Sequence, residues 1–182
     1  MKRIMENWRQ LLNENKLRIF DFDDTLVQTD SKIILHKSNG ETIEQTPGDW
    51  AVYEPQKGDE FDYTEFHGSL KNPRELKDYT NILRRVLGAG SDGRKTVILT
   101  ARSPSSYNGI IEFLEDIGID SSALELVTLG EGDPQAKADW VEQRIEEGYD
   151  DIFFIDDSPR YIAAVQALAE KYPNVKLRTQ KV

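Results

Sequence analysis

LRIFDFDDTL, residues 17–26, is an apolar run that ends in three carboxylates and a hydroxyl group. The apolar half predicts a buried strand, and Asp21, Asp23, Asp24 and Thr25 follow it. Carboxylates this close together repel one another, and each is stable in a protein only in water or beside positive charge. The sequence therefore predicts a cation at the end of this strand, and we interpret that cation as Mg²⁺.

The composition is that of a globular chain with an excess of acid. Its 182 residues include 23 lysines and arginines against 33 aspartates and glutamates, a net charge of −10. This charge argues against tight, sequence-independent binding to nucleic acid or to an anionic membrane. Because the chain has no cysteine, any metal must bind oxygen or imidazole ligands. No apolar segment has the length of a membrane span or a signal core, so we expect a cytoplasmic protein of one domain, residues 1–182.

The segment before the first strand has a helical pattern. Its apolar residues Ile4, Trp8, Leu11 and Leu12 lie on one stripe, which predicts a short amphipathic helix packed on the domain. A helix that binds a partner or a membrane surface is the alternative. The mixed charges of its polar face argue against the membrane, since membrane-surface helices carry a basic face.

Helix and strand signals alternate along the chain after residue 70. Polar–proline pairs that predict helix starts are Asn72-Pro73, Ser103-Pro104, Asp133-Pro134 and Ser158-Pro159. Helix ends are expected near Gly88, Gly118 and Gly148. Apolar runs of strand length lie at residues 96–99, 124–129, 152–155 and 175–177. This order predicts an α/β fold, a three-layer α/β/α Rossmann-like parallel sheet with helices on both faces.

Residues 30–70 interrupt this rhythm, and we call them the insertion. Residues 32–35 and 42–45 are expected to pair as a hairpin around an Asn-Gly turn. The remainder is expected to be loop-like, and its aromatic residues are Trp50, Tyr53, Phe61, Tyr63, Phe66 and His67. Two interpretations are compatible: a small satellite cluster of the core, or a flap or lid that covers a site and stacks on substrate.

Polar residues follow the predicted strands at one edge of the sheet. In parallel sheets the carboxyl ends of the strands meet, and ligands bind there. A helix that starts after Asp133-Pro134 begins at the same edge, so a lysine in its first turn faces the acids. The side chains expected at this edge are Asp21, Thr100, Arg102, Lys137, Asp156 and Asp157.

This ordered set resembles the haloacid dehalogenase superfamily. The set is Asp-x-Asp-x-Thr at residues 21–25, Thr100, Lys137 and the acidic pair at residues 156–157. The match covers residues 17–178 and leaves the insertion without a motif. The resemblance implies an HAD-like fold with the insertion as a minimal cap. It also implies a Mg²⁺-dependent phosphatase that hydrolyses a phosphomonoester through an aspartyl-phosphate.

The resemblance implies separate roles for the acids. Asp21 is the expected nucleophile, and Asp23 is the expected general acid, which protonates the leaving oxygen and then activates water. Mg²⁺ is expected on the Asp21 carboxylate, the backbone carbonyl of Asp23 and the Asp156 carboxylate, whose hard oxygens suit that ion. Asp157 is expected to act indirectly, by orienting Lys137 or a metal-bound water.

Thr100, Arg102 and Lys137 are the expected substrate-binding residues. Thr100 would donate a hydrogen bond to a phosphoryl oxygen, and Lys137 would neutralise both that oxygen and the nucleophile. Arg102 is expected either on the substrate phosphate or in an ion pair with the acidic cluster. Thr25 is expected to cap the turn locally, and Asp24 has no assigned role.

The substrate class stays open at this point. Asp23 favours a phosphatase over a dehalogenase, because displacing halide needs no proton donor. The segments around Thr100, Lys137 and Asp156 are similar to the 3′-phosphatase domains of polynucleotide kinase-phosphatases, which implies a nucleotide or a nucleic-acid end. Sugar phosphates and other small phosphorylated metabolites are the alternative.

Two hypotheses in which the chain is not an enzyme are compatible with the same fold. A receiver-like module also places acids, a threonine and a lysine around Mg²⁺. Its acidic pair comes first and its lysine last, whereas Lys137 here precedes the acidic pair at residues 156–157. A non-catalytic phosphate-binding module would lack an acid or the lysine, and the sequence has them all.

Overall fold

The computed structural model describes residues 15–90 and 93–182, so the helix predicted around Ile4 and Trp8 lies outside the described residues. The strands are β1 (Lys16–Phe20), β2 (Val27–Gln28), β3 (Ile33–His36), β4 (Thr42–Gln45), β5 (Glu60–Asp62), β6 (Arg74–Glu75), β7 (Arg94–Thr100), β8 (Glu125–Thr128), β9 (Asp151–Asp156) and β10 (Lys176–Lys181). The helices are α1 (Pro47–Val52), α2 (Lys77–Gly88), α3 (Tyr107–Asp116), α4 (Pro134–Glu146) and α5 (Pro159–Lys171). None of these helices in the described ranges is long and apolar enough to cross a membrane.

Strand β1 lies at the centre of a five-stranded parallel sheet of order β10-β9-β1-β7-β8. Its register places Phe20 opposite Ile98 of β7 and Ile155 of β9. The four later apolar runs expected as strands are β7, β8, β9 and β10. The predicted α/β fold with a parallel sheet between helices is confirmed.

The two faces of the sheet bury separate apolar clusters. Ile19 of β1 lies in one cluster, with Val141 of α4 and Val165 of α5. Phe20, the next residue of the same strand, lies in the other cluster, with Leu83 of α2. Because successive side chains of a strand point to opposite faces, a strand covered on both sides must be apolar at nearly every position. This explains the unbroken apolar runs in the sequence.

Three of the four predicted helix starts are confirmed, and one is wrong. Helices α4 and α5 begin at the expected prolines, and Ser103 precedes a short 3₁₀ turn that leads into α3. Asn72 instead adopts a positive φ of 44°, and its side chain donates to Asp30 at 2.9 Å. The chain after it pairs with β2 as strand β6, so α2 begins only at Lys77.

The insertion has more regular structure than the sequence predicted. Strands β3 and β4 form the expected hairpin, and β5 adds a third antiparallel strand in the order β4-β3-β5. Helix α1 begins after Thr46, whose side chain accepts a hydrogen bond from the Asp49 N–H at 3.1 Å. The expectation of a loop-like remainder is therefore wrong for α1 and β5. Strands β2 and β6 pair with each other at the base of the insertion.

Candidate active site

Three neighbouring strands bring polar side chains to the same edge of the sheet. Asp21 follows β1, Thr100 is the last residue of β7, and Asp156 is the last residue of β9, with Asp157 next along the chain. Because β1 lies between β7 and β9, Asp21 lies between the other two strand ends. The Asp21 backbone N–H donates to the Ile155 carbonyl at 2.9 Å, which extends the β1–β9 pairing by one residue beyond Phe20.

Lys137 reaches from helix α4 to the acids of two strands. The helix begins at Pro134, which places Lys137 in its first turn at the edge of the sheet. The ammonium donates to Asp21 Oδ1 at 2.5 Å and to Asp156 Oδ2 at 2.8 Å. The side chain is fully buried, and its Nζ lies 4.2 Å from the centroid of the Tyr161 ring. A lysine without water is stable here because both carboxylates replace its lost hydration.

Burial and charge act in opposite directions on these groups. Burial raises the pKa of Asp21, and the Lys137 ammonium opposes that rise. Burial also raises the pKa of Asp156, and burial together with the Asp156 charge raises the pKa of Asp157 to about 7. Burial alone would lower the pKa of Lys137, but the Asp156 and Asp21 carboxylates outweigh it and hold the pKa above its usual range. The three carboxylates outnumber the one ammonium group, so an additional cation is favoured among them.

Three carboxylates are close enough together to hold a metal ion. Asp21, Asp156 and Asp157 each offer one oxygen, and these oxygens all lie within 4.8 Å of one another. Mg²⁺ binds hard oxygen donors, and carboxylates are among its usual protein ligands. The donor set therefore fits Mg²⁺. Asp157, for which the sequence predicted an indirect role, is one of the three carboxylates of this cluster.

Arg102 is a second buried cation, and it holds Asp23. Its Nε donates to Asp23 Oδ2 at 2.9 Å, and its Nη2 donates to Asp23 Oδ1 at 2.7 Å. Nη2 also donates to Thr29 Oγ1 at 3.2 Å, and the guanidinium lies 4.6 Å from the centroid of the Phe66 ring. A bidentate contact fixes the orientation of a carboxylate as well as its position. The structure shows the ion pair with the acidic cluster, one of the two expectations for Arg102, and contact with a substrate phosphate stays a prediction.

Thr100 lies at the floor of the cavity above the acids. Its Oγ1 accepts a hydrogen bond from the Arg102 N–H at 3.1 Å, and its carbonyl accepts one from the Leu129 N–H at 2.9 Å. The side chain is buried and lines the cavity. A hydroxyl that accepts one bond still has a proton to donate, so Thr100 can donate to an oxyanion in the cavity.

Asp24 connects the acidic turn to helix α1 of the insertion. It adopts a positive φ of 54°, and its carboxylate accepts a hydrogen bond from the Gly48 N–H in the first turn of α1. Burial and the Asp23 charge raise the pKa of Asp24, and the Gly48 hydrogen bond opposes that rise. Thr25 Oγ1 is buried without a hydrogen-bond partner among the described residues, so the expectation that Thr25 caps the turn is wrong.

The insertion forms one wall of a cavity of about 320 Å³ over the acids. Trp50, Tyr63 and Phe66 line this wall, and Tyr161 of α5 lines the cavity from the core. Arg160 fixes α1 in place, because its Nη2 donates to the Trp50 carbonyl at 2.6 Å. Its guanidinium also lies 4.3 Å from the centroid of the Trp50 ring.

Sequence reasoning missed Arg160, Tyr161 and helix α1, although each had a signal. Thr46 precedes Pro47, and Asp49 completes a capping box with Thr46. Arg160 and Tyr161 lie in the first turn of α5, so the argument that placed Lys137 at the carboxyl edge applied to them as well.

The chain has a structural relative among solved proteins. No family model and no curated protein matches its sequence. The structure is similar to the HAD domain of effector protein Lem4 from Legionella pneumophila, with a TM-score of 0.53 and 14% identity. The similarity covers 92% of this chain and 85% of that chain. At this identity the likeness is one of fold, and this chain has the fold of a haloacid dehalogenase (HAD) domain.

Proposed function

We propose that the chain belongs to the HAD superfamily and is a Mg²⁺-dependent phosphatase that hydrolyses a phosphomonoester through an aspartyl-phosphate. One observation carries the proposal: buried Lys137 bridges Asp21 and Asp156, at 2.5 and 2.8 Å, where two adjacent strands end. The sequence resemblance rests on these same residues, and the HAD fold of the chain supports it.

Asp21 is the proposed nucleophile. Its carboxylate oxygen attacks phosphorus in line, a bond from Asp21 to phosphorus forms, and the bond from phosphorus to the leaving oxygen breaks. Water then attacks the same phosphorus, which releases inorganic phosphate and restores the carboxylate. Lys137 and Thr100 stabilise the negative charge that develops on the phosphoryl oxygens, because their donors are already in place before the reaction.

Asp23 is the proposed general acid and base. It gives its proton to the leaving oxygen in the first step and takes a proton from the attacking water in the second. Arg102 holds both oxygens of this carboxylate, so its proposed role is to position Asp23. The Arg102 Nη1 takes no part in that contact and is buried without a hydrogen-bond partner among the described residues.

Asp21, Asp156 and Asp157 are the proposed Mg²⁺ ligands, with the Asp23 carbonyl as the ligand that the resemblance adds. When bound, Mg²⁺ would supply positive charge to the phosphoryl group. The single positive charge of Lys137 does not balance the three carboxylates. The remaining negative charge is the physical reason for a second cation here.

The test measures phosphate release from 4-nitrophenyl phosphate and a panel of monophosphates, with Mg²⁺ and with EDTA. We expect turnover that EDTA abolishes, that added Mg²⁺ restores, and that Asp21→Asn lowers by about 10³-fold or more with an unchanged circular dichroism spectrum. Asp30→Asn removes the same charge at an exposed pair with Arg74 and should keep full activity. No turnover above a buffer blank with any divalent metal, or more than a few per cent of the rate in Asp21→Asn, contradicts the proposal.

A further inference from the structure

The aromatic wall of the cavity constrains the leaving group of a substrate. The Trp50 ring lies edge-on to Tyr63 with the centroids 6.0 Å apart, and it is tilted against Tyr161 at 6.3 Å. Phe66 lines the same cavity. Faces and edges of aromatic rings attract other flat rings in offset or edge-to-face arrangements. A flat ring is therefore the shape that this wall favours.

The Trp50 ring is held in place from two sides. Arg160 stacks on it at 4.3 Å and binds its backbone carbonyl at 2.6 Å. Gly132 approaches so closely that a Cβ there would lie 3.0 Å from two atoms of the ring. A ring that is already fixed loses little conformational entropy when a ligand stacks on it, so more of the contact energy contributes to affinity.

The charges of the cavity suit a ligand with a single phosphate. Among the described residues that line it, Arg102 is the one lysine or arginine, and it already holds Asp23. The acids Asp21, Asp157 and Glu131 lie in the same lining. Bound Mg²⁺ would offset the charges of Asp21 and Asp157, its proposed ligands, but Glu131 is not among those ligands and repels a second phosphate group, which argues against bisphosphates and against a nucleic-acid strand.

The apolar lining also disfavours a leaving group that consists only of hydroxyl-bearing carbons. A hydroxyl buried beside Ile33 or Phe66 without a hydrogen bond loses its hydration and gains no partner. The cavity volume of about 320 Å³ lies at the low end of the range for small-molecule sites, which suits one ring system.

We propose that the substrate is a monophosphate ester whose leaving group carries one flat aromatic ring and no second phosphate. Aryl and arylalkyl monophosphates and nucleoside monophosphates share this chemistry. The proposal rests on the phosphatase function proposed above and adds the class of leaving group.

Two matched substrate pairs test the flat ring without changing the type of leaving oxygen. Benzyl phosphate is compared with cyclohexylmethyl phosphate, and adenosine 5′-monophosphate with ribose 5-phosphate. We expect kcat/KM to be about tenfold higher for the aromatic member, as one or two aromatic contacts provide. A preference within the first pair identifies arylalkyl esters as the source, and one within the second pair identifies nucleotides. Equal values within both pairs overturn the proposal.

The single phosphate is tested with adenosine 3′,5′-bisphosphate. Its kcat/KM for release of the 5′-phosphate should fall below that of adenosine 5′-monophosphate, because the added phosphate meets the acidic lining. Equal or higher values for the bisphosphate overturn this half of the proposal.

Two aromatic residues of the insertion provide matched variants. Tyr63 lines the cavity, whereas Tyr53 packs on Phe61 at 6.1 Å outside the lining. Tyr63→Leu should reduce the preference for the aromatic member of the pair to about twofold, and Tyr53→Leu should leave it unchanged. An equal preference in both variants contradicts a role for this wall in substrate choice.

Binding of phosphonates separates the two proposals. Benzylphosphonate and cyclohexylmethylphosphonate have no phosphate ester to hydrolyse, and calorimetry with Mg²⁺ measures their affinities directly. We expect benzylphosphonate to bind about tenfold more tightly. Equal affinities together with turnover that requires Asp21 overturn the ring proposal and leave the phosphatase. Tighter binding of benzylphosphonate without any turnover overturns the phosphatase and leaves the ring site.

Discussion

Lys137 and Arg102 are both buried cations at the acidic edge of the sheet, but they contact different parts of the molecule. Lys137 donates only to acids at the ends of two core strands. Arg102 holds Asp23, and its guanidinium lies on the Phe66 ring of the insertion. The first cation therefore depends on the sheet, whereas the second depends on the sheet and the insertion together.

This difference divides the proposed chemistry between two regions. Attack by Asp21 requires only groups that the parallel strands and helix α4 hold in place. Proton transfer by Asp23 requires a carboxylate whose orientation is set by Arg102, and through it by Phe66. Changes in the insertion should therefore alter proton transfer before they alter attack on phosphorus.

Lys137→Met should have the largest effect on stability and activity. It would show how far the buried cluster of Asp21, Lys137 and Asp156 depends on one positive charge. It leaves two buried carboxylates without their cation, so we expect the free energy of unfolding to fall by about 3 kcal/mol in EDTA. We expect kcat/KM with Mg²⁺ to fall by about 10²-fold or more, because a donor to the transition state is lost. Urea denaturation and the 4-nitrophenyl phosphate assay measure the two effects.

Lys95→Met is the matched control, since Lys95 pairs with Glu125 at the surface and both side chains are partly exposed. Its effect on unfolding should stay below about 1 kcal/mol, as for other surface pairs. Similar losses of stability in the two variants would contradict the importance of the buried bridge.

Arg102→Lys should have a smaller effect, and one that depends on the leaving group. Lysine keeps the charge but loses the bidentate contact that orients Asp23. We expect kcat/KM to fall by about tenfold for an alkyl monophosphate, whose leaving oxygen needs a proton, and by less than about threefold for 4-nitrophenyl phosphate. Phe66→Leu should also lower kcat/KM more for the alkyl monophosphate than for 4-nitrophenyl phosphate, but by a smaller factor than Arg102→Lys.

Equal losses of kcat/KM with both substrates in Arg102→Lys would contradict the proposal that Arg102 positions Asp23. They would place the guanidinium on the substrate phosphate, which both esters share. Asp23→Ala provides the reference pattern, because removing the acid itself should penalise the alkyl ester most.

Asp24→Asn should have the smallest effect, although it changes the same acidic turn. The amide oxygen can still accept from the Gly48 N–H, so only the charge near the N-terminus of α1 is lost. We expect unfolding to become easier by about 0.5 kcal/mol and kcat/KM to change less than about twofold. A loss of activity comparable to that of Asp21→Asn would assign Asp24 to the chemistry instead of to the insertion.

The core and its acidic edge were predictable from the sequence because their signals are local. Asp21 and Asp156 each follow an apolar run directly, and Lys137 follows its helix start within one turn. In a parallel sheet these local positions are enough to bring the side chains together. Residues far apart in sequence therefore needed no long-range argument.

The failures came from contacts between distant segments. Pairing of β6 with β2 overrode the helix start at Asn72, because strand pairing offered the backbone an alternative set of hydrogen bonds. Arg102 and Asp23 are 79 positions apart, and the sequence left both the acid and a substrate phosphate open as partners. The side-chain packing of Trp50 on Arg160 depends on how the insertion lies on the core, which no periodicity encodes.

The paired strands β2 and β6 make the insertion a segment that could be replaced as a unit. Val27 pairs with Glu75 at its base. The chain therefore leaves the core and returns to it at adjacent points, whatever sequence lies between them. A replacement segment would need to provide an N–H group for Asp24, a ring for Arg102 and helix-end carbonyls for Arg160. These three contacts specify what a replacement segment must provide, so the aromatic wall of the cavity can be changed without changing Asp21.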